Sequence, residues 1–374
     1  MNIGIVCYPT YGGSGVLATE LGMALSHNGY NVHFITSHQP VRLDFLNPNL
    51  HFHEVFMEDY PLFHYQPYEL ALSSKLVEVV EKYELDLLHV HYAIPHAYAA
   101  YMAKQMLEQK GITIPIITTL HGTDITLVGS HPVYKTAVEF SINNSDVVTA
   151  VSESLRSDTL RLFNIYNKIE VIYNFIDFEM QKDWNDDDCI RETLAKSDEK
   201  IITHVSNFRP VKRVNDVIDI FYKIQSKISA KLLMVGDGPE REQAERFAKK
   251  LGIKEKILFL GKSDEVRKIL CFTDLFLLPS ETESFGLAAL EAMAARTPVI
   301  SSNTGGLPEV NLDGKTGFLS DVGDVDEMAK NAIYILEDEN RLNEFKDKAL
   351  AFSKNFTIKK ILPQYEKLYD LVTS

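Results

Sequence analysis

Two carboxylates eight residues apart, Glu283 and Glu291, bracket a Ser-Phe-Gly step inside PSETESFGLAALEAMAARTPVISS, Pro279 to Ser302. Glutamates are common on solvated helix faces, so the neighbours must decide what the pair means. From Gly286 onward the residues are good helix formers, and Phe285, Gly286 and Leu287 would offer unpaired N–H groups at a positive helix end, a setting that suits a diphosphate. Glu283 lies just before that end and Glu291 more than a turn inside. Were all eight steps helical, about 12 Å of rise would separate them, comparable with the reach from the sugar hydroxyls of a nucleotide-sugar to its ribose. Small and apolar neighbours point to a largely buried helix, which weakens the reading of two unrelated surface glutamates.

Other groups invite the same ligand. VSNFRPVKR follows a strand-like run and supplies Arg209, Lys212 and Arg213, cations able to neutralise a diphosphate leaving group where other proteins use a metal ion. A solvated basic loop is the competing reading. VGDGPE, with Gly236, and FLGKSDEV, with Gly261, either wall a nucleotide base or merely turn the chain. Near the N-terminus, YPTYGGSG places Gly12, Gly13, Ser14 and Gly15 between a strand and a helix, where a phosphate or sugar docks or a tight turn suffices. A dinucleotide oxidoreductase would use this loop with an acidic residue about 20 positions on. Here the strand end reads HFITSHQP and has no carboxylate before Asp44.

Eleven of the twelve histidines fall in the first 131 residues. His89 and His91, two apart on an expected strand, share a face as metal ligands of some hydrolases do, but His96 and the rest supply no third ligand in a recognisable motif. No metal site is expected. His121 stands where an apolar strand ends in HGTD, the place where crevices open in doubly wound sheets.

These residues need a frame of strands and helices. IGIVCY, VHFITS, DLLHVHY, IPIITTLHG and DVVTAVS alternate with helical patterns, and a second series, KIITHVS, AKLLMVGDG, KILFLG, DLFLLPS, PVISSN and TGFLSD, begins after residue 200. The fold class is therefore α/β, two Rossmann-like doubly wound parallel-sheet domains. Their expected ranges are 1–173 and 174–357, with a helix over about 358–374 returning to the first and interrupted near Pro363. Between them lies a polar, acidic segment holding Trp184, Asp186 to Asp188 and Cys189, read as a linker rather than a metal motif.

The 374 residues suffice for two cores. A net charge of −14 argues against a nucleic-acid partner, and 9 Lys/Arg against 17 Asp/Glu through residue 173 argues against an anionic membrane surface. Three scattered cysteines, no charged leader and no apolar run near 20 residues give a cytoplasmic location as the expectation. A homo-oligomer stays open.

At the motifs quoted, the sequence resembles the retaining glycosyltransferases of family four, which have GT-B architecture, two Rossmann-like domains facing across a cleft. The resemblance covers nearly the whole chain: the E-x7-E pattern as Glu283 to Glu291, the glycine loop as Gly12 to Gly15, and the basic pair as Arg209 and Lys212. Many relatives place an arginine after a glycine, five positions before the lysine; here Asn207 holds that place and the arginine is Arg209. HVHYAIPHA, LHGTDITLVG and VSNFRPVKR are similar to the branch of the family that opens bacillithiol synthesis. That resemblance implies transfer of N-acetylglucosamine from UDP-N-acetylglucosamine to the hydroxyl of L-malate, with retention and no cofactor or metal. It implies Glu283 on the sugar hydroxyls, Glu291 on the ribose diol, His121 near the primary hydroxyl, and Lys212, Arg209 and the helix start at Phe285 to Leu287 on the diphosphate. Gly13, Ser14, Asn207, Gly236 and Gly261 join the donor side by their loops. Tyr92, Thr123 and Asn174 are acceptor-side candidates by motif position, while Arg42 and Lys135 are candidates by charge alone. Another small acceptor, or a UDP-sugar epimerase of the same architecture, remains an alternative.

Overall fold

The computed structural model describes residues 1–10, 13–44, 46–57, 66–178, 191–196, 198–263 and 265–374. Gly12, Trp184, Asp186 to Asp188 and Cys189 lie outside the described residues. The chain divides into two compact units, Met1–Phe175 with Ile358–Ser374, and Ile176–Thr357.

In the first unit seven strands form one parallel sheet: β1 (Asn2–Val6), β2 (Asn31–Thr36), β3 (Leu50–Glu54), β4 (Leu87–His91), β5 (Ile116–Leu120), β6 (Val147–Ala150) and β7 (Ile169–Val171). Their order is β3-β2-β1-β4-β5-β6-β7. Ile3, Ile5, Val32, Phe34, Leu87 and Ile117 are fully buried, as strands covered on both faces require. The helices α1 (Gly13–His27), α2 (Tyr68–Tyr83), α3 (Tyr98–Glu108), α4 (Pro132–Asn143) and α5 (Glu153–Leu162) connect them. One core joins Leu72, Leu76 and Val80 of α2 to Ala99, Ala103 and Leu107 of α3. The α5 start is fixed by Ser152, whose hydroxyl accepts the Leu155 N–H at 3.0 Å.

Two strands in this sheet have no counterpart among the expected runs. β3 reads LHFHE and β7 only IEV, and both occupy sheet edges where half-exposed residues blunt the apolar signal.

The second unit carries a six-stranded parallel sheet: β8 (Lys200–Val205), β9 (Ala230–Val235), β10 (Ile257–Gly261), β11 (Leu275–Leu278), β12 (Val299–Ser302) and β13 (Gly317–Ser320), ordered β10-β9-β8-β11-β12-β13. Each corresponds to an expected run. A short α6 (Arg191–Leu194) precedes it, and α7 (Val214–Gln225), α8 (Arg241–Lys250), α9 (Val266–Cys271), α10 (Leu287–Ala294), α11 (Leu307–Val310), α12 (Val325–Leu336) and α13 (Glu339–Ser353) complete the unit. The stripe Val214, Val217, Ile218, Phe221 and Ile224 on α7 has helical spacing and is entirely buried with Met328, Ala332 and Ile335 of α12. Burial of each such large side chain is worth about 1.5–3 kcal/mol.

α14 (Ile358–Thr373) belongs to the first unit, and here the structure corrects the sequence reading: the helix runs through Pro363 without interruption. Proline removes one intrahelical bond, but Ile358, Ile361, Leu362, Tyr365 and Tyr369 are all buried and hold both turns in register. Among the described residues no helix is long and apolar enough to cross a membrane.

Both sheets reverse their winding once, between β1 and β4 in the first unit and between β8 and β11 in the second. Ligands of such sheets bind beyond the carboxyl ends of strands at these switch points.

Candidate active site

In the second unit the loops leaving β8 and β11 meet at the switch point. Lys212 ends a short 3-10 turn, Pro210–Lys212, and its Nζ lies 2.5 Å from Glu283 Oε1. The same oxygen accepts the Ser280 hydroxyl at 2.9 Å. Both partners are largely buried, at 19% and 13% side-chain exposure, so the pair is shielded from the screening that weakens surface ion pairs. The Glu281 N–H donates to the Val211 carbonyl at 2.8 Å and ties the two loops together. Beneath them His204 bonds the Leu277 carbonyl at 2.9 Å and the Ser206 hydroxyl at 2.8 Å. Burial lowers its pKa to about 4, so it stays neutral beside Lys212.

Backbones pack directly here at glycines, where no side chain intervenes. A Cβ on Gly236, whose φ is +118°, would meet the Ser206 carbonyl oxygen at 1.8 Å, and one on Gly305 would meet the Glu283 carbonyl oxygen at 1.9 Å. Gly236 therefore presses the β9 loop onto the β8 loop. Gly305 presses the β12 loop onto the stretch that carries Glu283, an arrangement closed by the Gly306 N–H to Glu283 carbonyl bond at 2.9 Å.

α10 begins where the sequence places it: Gly286 is the N-cap at φ +94°, Leu287 opens the helix, and Phe285 is buried in an edge contact with Phe356. The conditional spacing of the two glutamates does not hold, because only the steps from Leu287 to Glu291 are helical and they rise about 6 Å. Glu291 sits half-buried in α10. Arg209 and Asn207 are exposed on the β8 loop, and Arg213 is taken by Asp216 at 2.6 Å. Gly261 ends β10, beside Gly236, whose N–H it receives at 2.8 Å.

In the first unit a cluster of rings forms at the carboxyl ends of β1, β4 and β5. Gly13 opens α1, and the Ser14 hydroxyl lies 2.6 Å from the Tyr92 hydroxyl. Tyr92 leaves β4 with φ +84°, a strained conformation for a bulky residue, held by its N–H to the Thr119 carbonyl at 2.9 Å. Its ring lies 5.0 Å from that of His121. His121 Nε2 is 2.8 Å from His91 Nδ1, and burial lowers the His121 pKa to about 3. Thr123 is exposed in the turn after β5.

The metal reading of His89 and His91 finds no support in their partners. They share a face as expected, rings 4.6 Å apart, but both His89 nitrogens are engaged, by Tyr369 Oη and Thr119 Oγ1 at 2.8 Å each. Among the described residues no three His, Cys, Asp or Glu side chains gather in a geometry that could hold a metal ion.

The remaining acceptor-side candidates are dispersed. Asn174 follows β7, three strands from β4 and so about 14 Å across the sheet. Arg42 lies beyond β2 and is paired with buried Glu20 at 2.9 Å. Lys135, in the first turn of α4, has its ammonium 6.0 Å above the Phe163 ring.

Two positioning residues escaped the sequence analysis. Asp124 Oδ1 accepts the Gly122 and His121 N–H groups at 2.9 and 3.3 Å, while Oδ2 accepts the Ala93 N–H at 2.8 Å, joining the loops after β4 and β5. Burial raises its pKa to about 6 against the pull of these bonds. Its place three residues after His121 in HGTD was the available signal. Ser280, likewise three before Glu283, is fully buried and orients that carboxylate.

Two doubly wound domains, one with a cation, a carboxylate and a helix start at its switch point, have the architecture of the GT-B glycosyltransferases. The chain matches Glycosyltransferase Family 4 over residues 11–180 and Glycosyl transferases group 1 over residues 186–352, and it belongs to glycosyltransferase family four. It is 48% identical over 370 residues to the N-acetyl-alpha-D-glucosaminyl L-malate synthase of Bacillus anthracis, with 99% of this chain and 96% of the relative covered. An uncharacterized glycosyltransferase of Methanocaldococcus jannaschii is 27% identical over 78% of this chain and 77% of its own. The fold is shared with sucrose-phosphate synthase from Thermosynechococcus elongatus, at a TM-score of 0.82 and 21% identity over 100% and 99% of the two chains. It is shared equally with Anabaena HepE in complex with UDP and glucose, at 0.82 and 18% over 99% of each.

Proposed function

We propose that this glycosyltransferase moves N-acetylglucosamine from UDP-N-acetylglucosamine to the hydroxyl of L-malate, with retention at the anomeric carbon and without a metal ion, as the first step of bacillithiol synthesis in the cytoplasm. The observation that carries the chemistry is the Lys212–Glu283 pair at the switch point of the second sheet, directly before the α10 start. The choice of sugar and acceptor is supported by 48% identity to the Bacillus anthracis relative over nearly the full length of both chains.

The malate oxygen bonds to the anomeric carbon as the bond from that carbon to the UDP phosphate oxygen breaks, and the departing phosphate takes the hydroxyl proton. Attack comes from the face that UDP vacates, so configuration is kept without a carboxylate nucleophile opposite. Lys212 and Arg209 neutralise charge growing on UDP, a task worth orders of magnitude in rate when the charges are already in place. Glu283 holds sugar hydroxyls, Glu291 the ribose diol, and His121 the primary hydroxyl. Tyr92 and Thr123 serve the acceptor.

The test is UDP release from UDP-N-acetylglucosamine in the presence of EDTA with a panel of hydroxy acids. Fast release is expected with L-malate only. Equal release without any acceptor, or a need for a divalent ion, overturns the reading.

A further inference from the structure

His91 and His121 share one proton, and the surroundings of His91 decide which His121 nitrogen is left carrying the other. His91 Nδ1 lies 2.8 Å from His121 Nε2, with the rings 5.1 Å apart and 29° from parallel. His91 is 2% exposed, and its second nitrogen, Nε2, is buried with no hydrogen-bond partner among the described residues. Burial, reinforced by the neighbouring His89, His121 and His96, keeps the His91 pKa well below its usual value, and burial lowers that of His121 to about 3. Both rings are therefore neutral near pH 7, each with a single N–H.

The contact then has two forms. If His121 donates from Nε2, the His91 proton must sit on Nε2 as a buried N–H with no acceptor. If His91 donates from Nδ1, the unmet atom is a lone pair. Orphaned buried N–H groups are rarer in native proteins than under-used acceptors. The mild preference of free imidazole for a proton on Nε2 opposes this at both rings; the unmet buried N–H, which native proteins all but exclude, outweighs it. The second form prevails, and it puts the His121 proton on Nδ1.

We propose that His91 is a positioning residue for His121: by donating Nδ1–H to Nε2 it fixes the ring and makes His121 a hydrogen-bond donor, through Nδ1–H, to a hydroxyl oxygen of the donor sugar. This rests on the reading of His121 as a sugar contact. The rest of the setting is built to hold the pair. The His91 carbonyl is engaged by His96 Nδ1 at 2.5 Å, and its ring stacks on His89, itself anchored at both nitrogens. Asp124 grips the His121 main chain from the other side. His121 so held acts by orienting the sugar; it does not take up a proton, because its Nε2 lone pair is already occupied by His91.

Imidazole nitrogen-15 NMR on histidine-labelled enzyme reads the tautomer directly. The expectation for the unaltered protein is the Nδ1–H form of His121. His91→Asn keeps an amide donor near the Nδ1 position and should retain that tautomer and most of the turnover. His91→Phe should release the tautomer and lower kcat about tenfold or more, with donor KM within about twofold, since orientation rather than affinity is lost. An Nε2–H form of His121 in the unaltered protein, or His91→Phe with tautomer and turnover both unchanged, overturns the proposal. The tautomer is read without substrate, so an Nδ1–H form together with no UDP release on malate removes only the acceptor assignment.

Discussion

Lys212 and Glu283 neutralise each other in this structure, and that pairing sets what each substitution does. In Glu283→Gln the shape and the Ser280 contact survive, while Lys212 is released from its ion pair and keeps its charge for a phosphate. Donor KM should change little and kcat fall about 10²–10³-fold, the size of losing one group that acts mainly in the transition state. Glu291→Gln should instead raise donor KM roughly ten- to a hundredfold, the worth of a charge-assisted bond to the ribose, with a smaller effect on kcat. Steady-state kinetics with varied donor separates the two, and the opposite ordering would reverse the role split. Glu283, Lys212 and Glu291 were visible as candidates in the sequence because they combine charge with fixed spacing, and the first two meet at the switch point. Asp124, Ser280 and the link from His91 to His121 were not, since each acts through partners far along the chain or through main-chain bonds that residue type does not reveal.

Among the elements, α14 shows how a buried face overrides a local rule. The missing proline N–H argues for a break at Pro363, but five buried side chains dock the helix, and the Tyr369 hydroxyl reaches His89 Nδ1 at 2.8 Å through the interior. Tyr369→Phe keeps the ring and removes only that hydroxyl, leaving a buried imidazole nitrogen without its partner. The expected loss is about 1–3 kcal/mol, seen as a lower urea midpoint at unchanged slope. An unchanged midpoint would show that the helix is held by its apolar face alone. The strands of the second sheet were readable for the converse reason: each is an apolar run closed by Gly, Ser, Asn or Asp. β3 and β7 were not, because half-exposed edge strands carry neither a continuous apolar run nor clean alternation.

For the whole molecule the histidine distribution becomes a prediction about acid. Burial lowers the pKa of His33, His89 and His121 to about 3 and of His53, His96 and His204 to about 4, and holds His91 well below its usual value. The unfolded chain takes up these protons near pH 6.5 and the folded chain does not, so stability present above pH 6.5 is lost as pH falls toward the folded values. Each fully buried site contributes up to ~1.4 kcal/mol per pH unit across that window, and half-buried His53 less. Asp124 works the other way. Its pKa is raised to about 6, so the folded state holds the extra proton and gains stability as pH falls from 6 toward 3.8. Among the described residues one opposing group cannot offset seven, and six of the seven lie in the first unit. The carboxylates with lowered pKa in the second unit, Glu199 and Asp274, lose their contribution only below the ordinary carboxylate range. Calorimetry should therefore show a lower Tm at pH 5.5 than at pH 7.5, and amide exchange at pH 5.5 should strip protection from β4 and β5 before β8 and β11. A Tm that rises on acidification, or earlier loss in the second sheet, would mean that these histidines are charged in the folded protein, and with them the neutral His91–His121 contact would fall.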